Sequence, residues 1–428
     1  MGYLCALLCG GICVFSYVRY KNIYHPIVSF SFLFFIVSFM SSLRLFEFYA
    51  APDFAYLIIL FGVICFSVGA IISDRVNIVF GKHNNFTQYE LNKTIYFVMI
   101  FICLLIIVPR FLTIGKYLLL GHSVGDVYVT LAGSVGAETE DLAQSSLQAL
   151  LIQFVGYPIL YIIVPTSVLL FFRTFEKKYL IIATGLGLLR VLLDSRRTYL
   201  ISLFIFFLVS FLLYQNKKEL MDEKIVRKLE KIKKWIPIIL ILIIAAFEIV
   251  SRSRSNTFGQ QSSFLGTFYN YYAGCVQYLG KCIDSYAFEH TYGFTTLRGL
   301  FAPFFGVLKI FGIDPIHPYQ VATDIVNGMK YVVIQIGPGI RYNSFTTCFY
   351  QFYCDGGFFG IAFLSVAFGF YSEALYKRFL YDNQLRFEVR YLYFYGTILM
   401  LSFTNMRTIL AFILWPLIIE RFMYKRAE

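Results

Sequence analysis

Phe54-Ala-Tyr-Leu-Ile-Ile-Leu-Phe-Gly-Val-Ile-Cys-Phe-Ser-Val-Gly-Ala-Ile-Ile-Ser73 runs without a charge and is closed by Asp74-Arg75. A helix of that length spans about 30 Å, the thickness of a bilayer's hydrocarbon core. Inside that core only a helix or a closed barrel satisfies every backbone polar group. Runs of the same kind recur outward from this one, at 3–19, 26–43, 95–113, 147–172, 179–194, 198–214, 235–250, 357–375, 391–404 and 408–422. The expectation is an all-α polytopic membrane protein of about 11 transmembrane helices. Composition agrees, with 58% hydrophobic, 19% aromatic and only 14% charged residues, against about a quarter charged in soluble domains. The first apolar stretch has neither a basic leader nor a small-residue cleavage site, so no cleavable signal peptide is expected.

Three regions follow: 1–250 with eight helices, 251–343 as one large loop, and 344–428 with the remaining helices. Within the loop, 297–313 is apolar but contains Pro303 and several glycines, which fits a partly inserted or surface-lying helix better than a span. Lys and Arg set the sidedness. If the C-terminus is cytoplasmic, alternate loops carrying Arg19/Lys21, Lys82/Lys93, Lys177/Lys178, the basic 217–234 stretch and Lys377/Arg378 all fall inside, as the positive-inside rule requires. The N-terminus and 251–343 then lie outside. The net charge of +12 is thereby read as topogenic, and no nucleic-acid partner is expected.

Basic residues outside are unusual in kind. The inner set holds nine Arg and fourteen Lys, whereas the outer set holds ten Arg and four Lys. Arginine is the residue of choice where a planar fork must hold phosphate or carboxylate. An anionic ligand at the outer face is therefore expected. The sharpest local signal is Arg190-Val-Leu-Leu-Asp194-Ser195-Arg196-Arg197, following a short apolar run. Arg190 and Asp194 stand four apart and can neutralise each other, which leaves at least one of Arg196 and Arg197 without a local acid. Glu248 and Arg252 are likewise spaced to pair, and Arg254 is left over. Arg341 follows a Gly337-Pro338-Gly339 turn, and Arg298 leads the 297–313 segment. These seven arginines, with Tyr272, are the candidate ligand-binding set. Arg110, eleven residues before Gly121, repeats a spacing cited for sugar polymerases, but about one such match is expected by chance.

Other residues in the loop admit two readings each. The tyrosines Tyr269, Tyr271, Tyr272, Tyr278, Tyr286 and Tyr292 suit an interfacial belt or the apolar faces of sugar rings. Asp284, Glu289, His290, Asp314 and His317 form the pool of proton-transfer groups, with Glu289 and His290 ranked first because they follow the tyrosines. Nine cysteines are scattered without a CxxC or Cys/His cluster, so no metal is expected. Cys275 and Cys282 could pair in an oxidising compartment. Asp355, ahead of Gly356 and Gly360, reads as a helix cap, and those two glycines as a close-packing pair.

The many spans, the Leu193-Asp194-Ser195-Arg196-Arg197 turn, the single large outer loop and Tyr353-Cys354-Asp355-Gly356-Gly357-Phe358-Phe359-Gly360 together resemble the Wzy-type O-antigen polymerases. That resemblance implies a membrane glycosyltransferase of the lipid-sugar-using (GT-C-like) type at the periplasmic face of a bacterial inner membrane. Its substrate would be an undecaprenyl-diphosphate-linked oligosaccharide, it would need no cofactor, and a chain-length regulator and a flippase would be its protein partners. A flippase of the same lipid-linked oligosaccharide and an O-antigen ligase are the competing readings.

Overall fold

A computed structural model describes residues 1–76, 89–122, 151–194, 198–216, 223–234, 264–285, 289–328, 333–343, 346–381, 384–400 and 415–426, with a few isolated positions between them. The chain is mostly helical. In chain order the principal elements are α1 (Gly2–Tyr20), α2 (Pro26–Leu43), α3 (Asp53–Val76), β1 (Tyr89–Leu91), α4 (Lys93–Leu119), α5 (Tyr157–Thr174), α6 (Lys177–Asp194) and α7 (Thr198–Asn216). They continue with α8 (Phe264–Ser285), α9 (Arg298–Ile310), α10 (His317–Gly328), β2 (Val333–Gly337), β3 (Ile340–Asn343), α11 (Cys348–Tyr381), α12 (Leu385–Leu399), α13 (Trp415–Met423) and β4 (Tyr424–Arg426).

Among the described residues, six helices are long and apolar enough to cross a membrane: α1, α2, α3, α4, α5 with the π-turn Ile152–Gly156 before it, and α11. Of the remaining expected spans, 179–194 and 198–214 fall in α6 and α7, while 235–250 lies almost wholly outside the described residues. The 391–404 and 408–422 runs overlap the shorter helices α12 and α13, and 401–414 lies outside the described residues.

The chain divides into two compact units. The first holds 1–85, 265–383 and 397–414, and its frame is the four helices α1, α2, α3 and α11. Phe30, Phe34, Phe66, Phe349 and Phe368 fill the centre of that frame in stacked and edge-on contacts, with Phe30 3.9 Å from Phe66. α3 and α11 touch backbone to backbone. A Cβ on Gly69 would stand 2.0 Å from the Val366 carbonyl oxygen, and one on Gly369 only 1.9 Å from that of Phe66. Small residues that let backbones meet are the usual basis of helix association in lipid, where burial of apolar surface gives no drive.

Gly356 and Gly360 act differently from the close-packing pair that their spacing suggests. α11 breaks here, with Gly357 at φ +59, a conformation that side-chain-bearing residues rarely adopt. A Cβ on Gly360 would meet the Phe352 carbonyl oxygen at 2.3 Å, so the tight approach is across the break within one helix. Gly357 and Gly360 make the kink possible, and Gly69 and Gly369 make the helix pair.

One end of this frame gathers Met1, the 44–53 connection and the start of α11, and it carries everything from α8 to β3. The amino terminus lies 3.4 Å from Asp53, and Tyr269 on α8 donates to the Met40 carbonyl and accepts from the Leu45 amide. The β2–β3 hairpin is tied there by the Tyr49 amide on the Ile336 carbonyl at 2.8 Å. We call this the loop end. The far end gathers Tyr20 to His25, Asp74 and Glu373 to Lys377.

The second unit holds 86–264, 384–396 and 415–428. α5 packs against α6, α7 and α13, and β1 pairs antiparallel with β4, Tyr89 opposite Arg426. Glu420 on α13 is fully buried and bonded by both Arg386, at 2.7 Å, and Arg390 of α12.

Candidate functional site

The 265–343 segment is a folded cap rather than an irregular loop. α8 explains the tyrosine cluster. Tyr269 and Tyr278 are buried at 3% and 0% exposure, with Tyr278 packed edge-on to Tyr342 of β3. Those two rings are core, unavailable to a sugar or to lipid headgroups. Tyr272 is half-buried beside Phe268, and burial pushes its phenol up to about 12. Tyr292 is the outward member, at 76% exposure and φ +51, while Tyr286 lies outside the described residues. Cys275 and Cys282 are both free and lie on α8. Seven residues along one helix separate their Cα atoms by about 10 Å, beyond the reach of a disulfide.

Asp355 caps a different element from the one its position suggests. Its carboxylate accepts from the Thr291 hydroxyl at 2.6 Å, the Thr295 amide at 2.9 Å and the Thr296 amide at 3.0 Å. Two backbone bonds complete the join, from the Thr291 amide to the Cys354 carbonyl and from the Tyr292 amide to that of Asp355. The broken end of α11 therefore clamps the 291–297 turn, and three donors hold the buried carboxylate in a fixed position. His290 stands beside the break, its Cε1 atom 3.5 Å from where a Gly357 Cβ would be.

On the outer side of that turn, Glu289 meets His317, with Oε2 and Nε2 2.6 Å apart and both side chains 70% exposed. The pair spans the whole of α9: Glu289 precedes it and His317 opens α10. Arg298, at the first turn of α9, is half-buried and donates from Nε to the Thr323 hydroxyl at 3.4 Å. Arg341 is exposed on β3 opposite Gln335, behind the turn in which Gly339 takes φ +69. The sequence ranks Glu289 and His290 first because they follow the tyrosines, whereas the fold sets Glu289 against His317.

Arg190 belongs to the second unit and is buried at 5% exposure. Its guanidinium carbon lies 3.0 Å from the centre of the Tyr157 ring and 4.3 Å from that of Tyr199. Nη2 donates to the hydroxyls of Tyr161 at 3.0 Å and Tyr199 at 2.7 Å. Stacking over phenol faces with charge-assisted bonds to their hydroxyls is how a guanidinium is stabilised at membrane depth. Three phenols from α5 and α7 thus surround the guanidinium, while the side chain of Asp194, the partner expected from the sequence, lies outside the described residues. Arg110 is also buried. Arg196, Arg197, Arg252 and Arg254 lie outside the described residues.

Charges of a kind that sequence reading passed over lie at the far end of the first unit. His25 and Glu373 are buried at 0% and 2% exposure with Nε2 and Oε2 3.1 Å apart. His25 Nδ1 accepts the Ile27 amide at 3.3 Å, which fixes the ring at the start of α2 with its Nε2 edge beside the carboxylate. Tyr20 stacks on the imidazole at 3.6 Å. Lys377 reaches Asp74 at 3.1 Å, and Asp74 also meets Arg19 and the Tyr20 hydroxyl, each at 3.3 Å. The His/Cys/Asp/Glu side chains among the described residues form no group able to hold a metal ion.

Compared with family models, curated proteins and solved structures, the chain matches none.

Proposed function

We propose that this protein is a membrane glycosyltransferase of the O-antigen polymerase type. It joins oligosaccharide repeat units carried on undecaprenyl diphosphate, at the periplasmic face of a bacterial inner membrane, using a GT-C-like set of about eleven spans. The observation that carries this reading is the exposed Glu289–His317 pair, 2.6 Å apart, on a folded cap over one end of a bundle of membrane-length helices. A carboxylate that fixes one imidazole nitrogen leaves the other to take a proton, the arrangement of a general base with its orienting group.

In the step proposed, His317 accepts the acceptor sugar's hydroxyl proton at Nδ1, and Glu289 steadies the imidazolium through Nε2–H. The hydroxyl oxygen bonds to the donor's anomeric carbon as that carbon's bond to the diphosphate oxygen breaks. The electron pair leaves with the lipid diphosphate. Cations are needed where that charge collects, and Arg298 and Arg341 of the cap are the residues assigned to it; Arg196, Arg197 and Arg254, expected from the sequence, lie outside the described residues. Arg190, enclosed by phenols, and Arg252, spaced in the sequence to pair with Glu248, are not assigned to it.

A second reading, a transporter of the same lipid-linked oligosaccharide, is favoured by one observation, the buried His25–Glu373 pair, since ionisable groups within membrane bundles commonly mark transport pathways. The lipopolysaccharide profile of a deletion strain separates the possibilities. Core bearing a single repeat supports the polymerase, core alone supports the transporter or a ligase, and an unchanged ladder removes all three.

A further inference from the structure

α9 is thirteen residues long, about 20 Å, too short to cross some 30 Å of hydrocarbon. Its inner side is accounted for. Phe305 is buried, 4.2 Å from the Tyr319 ring of α10, and Phe301 packs on Phe294 at 4.8 Å. Its other side carries large apolar groups in the open: Phe304 at 61% exposure, Val307 at 53% and Phe311, in the C-cap, at 73%, with Leu300 at 36%. At about 100° per residue these four fall within about 60° of one another around the helix. Arg298 and Lys309, eleven residues apart, fall on the opposite side, and no acidic residue occurs in the helix.

We infer that this face of α9 is a lipid-binding surface that lies in the interface of the leaflet at the loop end, with the phospholipid bilayer itself as its occupant. Continuity with the lipid-facing side of α11 selects that occupant. The 291–297 turn, which leads directly into α9, is hydrogen-bonded to Cys354 and Asp355 at the break in α11. Immediately beyond the break, Phe359 and Phe363, one turn apart on a membrane-length helix, are 80% and 64% exposed. The bare aromatic face of α9 and a bare aromatic stripe of a spanning helix thus lie at the same end of the bundle, tied through one turn. A short helix with one apolar face, cations opposite and no acid has the make-up of helices that lie flat, their apolar side about 5–10 Å below the headgroups. Lying so, it holds Glu289 and His317, which flank it in the chain, at the level of lipid phosphates. The lipid contact itself does not depend on the polymerase reading.

Full-length protein with Trp235→Phe and Trp415→Phe as background, reconstituted in phosphatidylcholine and phosphatidylglycerol vesicles, gives a direct test. Tryptophan is placed singly by Phe304→Trp, by Val307→Trp, and on the other face by Lys309→Trp. Lipids brominated near the headgroup should quench the first two about twofold more than lipids brominated deep in the chain, as a shallow helix requires. Aqueous iodide should quench them little and the Lys309→Trp reporter strongly. Equal quenching by shallow and deep bromines at 304 and 307 would mean a deeper insertion, and the inference is wrong. Quenching of both by iodide alone, or by neither agent, means that water or protein covers the face, and also overturns it.

Discussion

The loop end and the far end of the first unit hold similar side chains in opposite ways. At the far end a histidine and a carboxylate, His25 and Glu373, are sealed at 0% and 2% exposure and wedged by Tyr20. At the loop end His317 and Glu289 make a shorter contact, yet both are 70% exposed. α11 reaches both ends, and some eighteen residues between Asp355 and Glu373 correspond to about 27 Å of helix. A buried pair is desolvated and held in place, so removing one member costs stability. An exposed pair contributes little to stability, because water screens it, and is free to meet a substrate. Under the proposed function, the contrast gives holding to one end and chemistry to the other.

The largest expected effect therefore lies at the exposed pair. On purified lipid-linked repeat unit, His317→Gln should lower polymer formation by about 10²–10⁴-fold, the usual contribution of a general base. Glu289→Gln should cost less, because it removes only the group that orients the imidazole. Both variants should reach the membrane at normal level, since neither side chain is buried. Full activity in both would leave proton transfer at this pair without support.

Asp355→Ala comes next and acts on the fold. Three donors lose their acceptor at once, and each buried donor left without one costs about 1–3 kcal/mol. Thermal unfolding in detergent should show a loss above about 3 kcal/mol, and the cap should become protease-sensitive before the helices do. Asp355→Asn keeps one acceptor oxygen and should lose about half as much. At the far end, Glu373→Ala removes a buried side chain that His25 packs against and should cost about 0.5–3 kcal/mol, with activity per folded molecule unchanged. Lost activity with unchanged stability would instead make the far end part of the mechanism and favour the transport reading.

How much of this was legible in the chain depended on whether the cause was local. Hydrocarbon thickness dictates run length, so 26–43 and 54–73 nearly coincide with α2 and α3. The bare helix at 297–313 was equally plain, because Pro303 and its glycines sit in the sequence itself. α8 was not, since its tyrosines suit a membrane interface as well as a core, and only the hairpin packed across it decides. Asp355 could be read as a cap, but its partners are some sixty residues away. Glu289 and His317 stood in the pool of proton-transfer groups, yet 28 positions separate them, and α9 has to fold between before they meet. The His25–Glu373 pair had no local signal, because each residue taken alone is one ionisable group near the end of an apolar run.

The smallest effect is expected at the two thiols of α8, and it is absent at neutral pH. Cys275 and Cys282 are 0% and 1% exposed, and burial pushes both thiols up to about 12 from a usual 9.0. Below pH 9 the thiol is protonated in folded and unfolded chains alike, and neither residue affects stability. Above pH 9 the unfolded chain releases protons that the folded chain retains, so the folded state loses ground until the folded thiols also ionise near pH 12. The loss per thiol amounts to about 1.4 kcal/mol for each pH unit in that window. The thiolate is the reactive form, so iodoacetamide at pH 8 should leave both residues unmodified in the folded protein and alkylate them after denaturation. Mass spectrometry of the peptide covering 264–285 reads this directly, with Cys275→Ser and Cys282→Ser confirming which sulfur reacts. Rapid alkylation of either residue in the folded state would mean that α8 does not pack as described, and the sealed tyrosine core beneath the cap would fall with it.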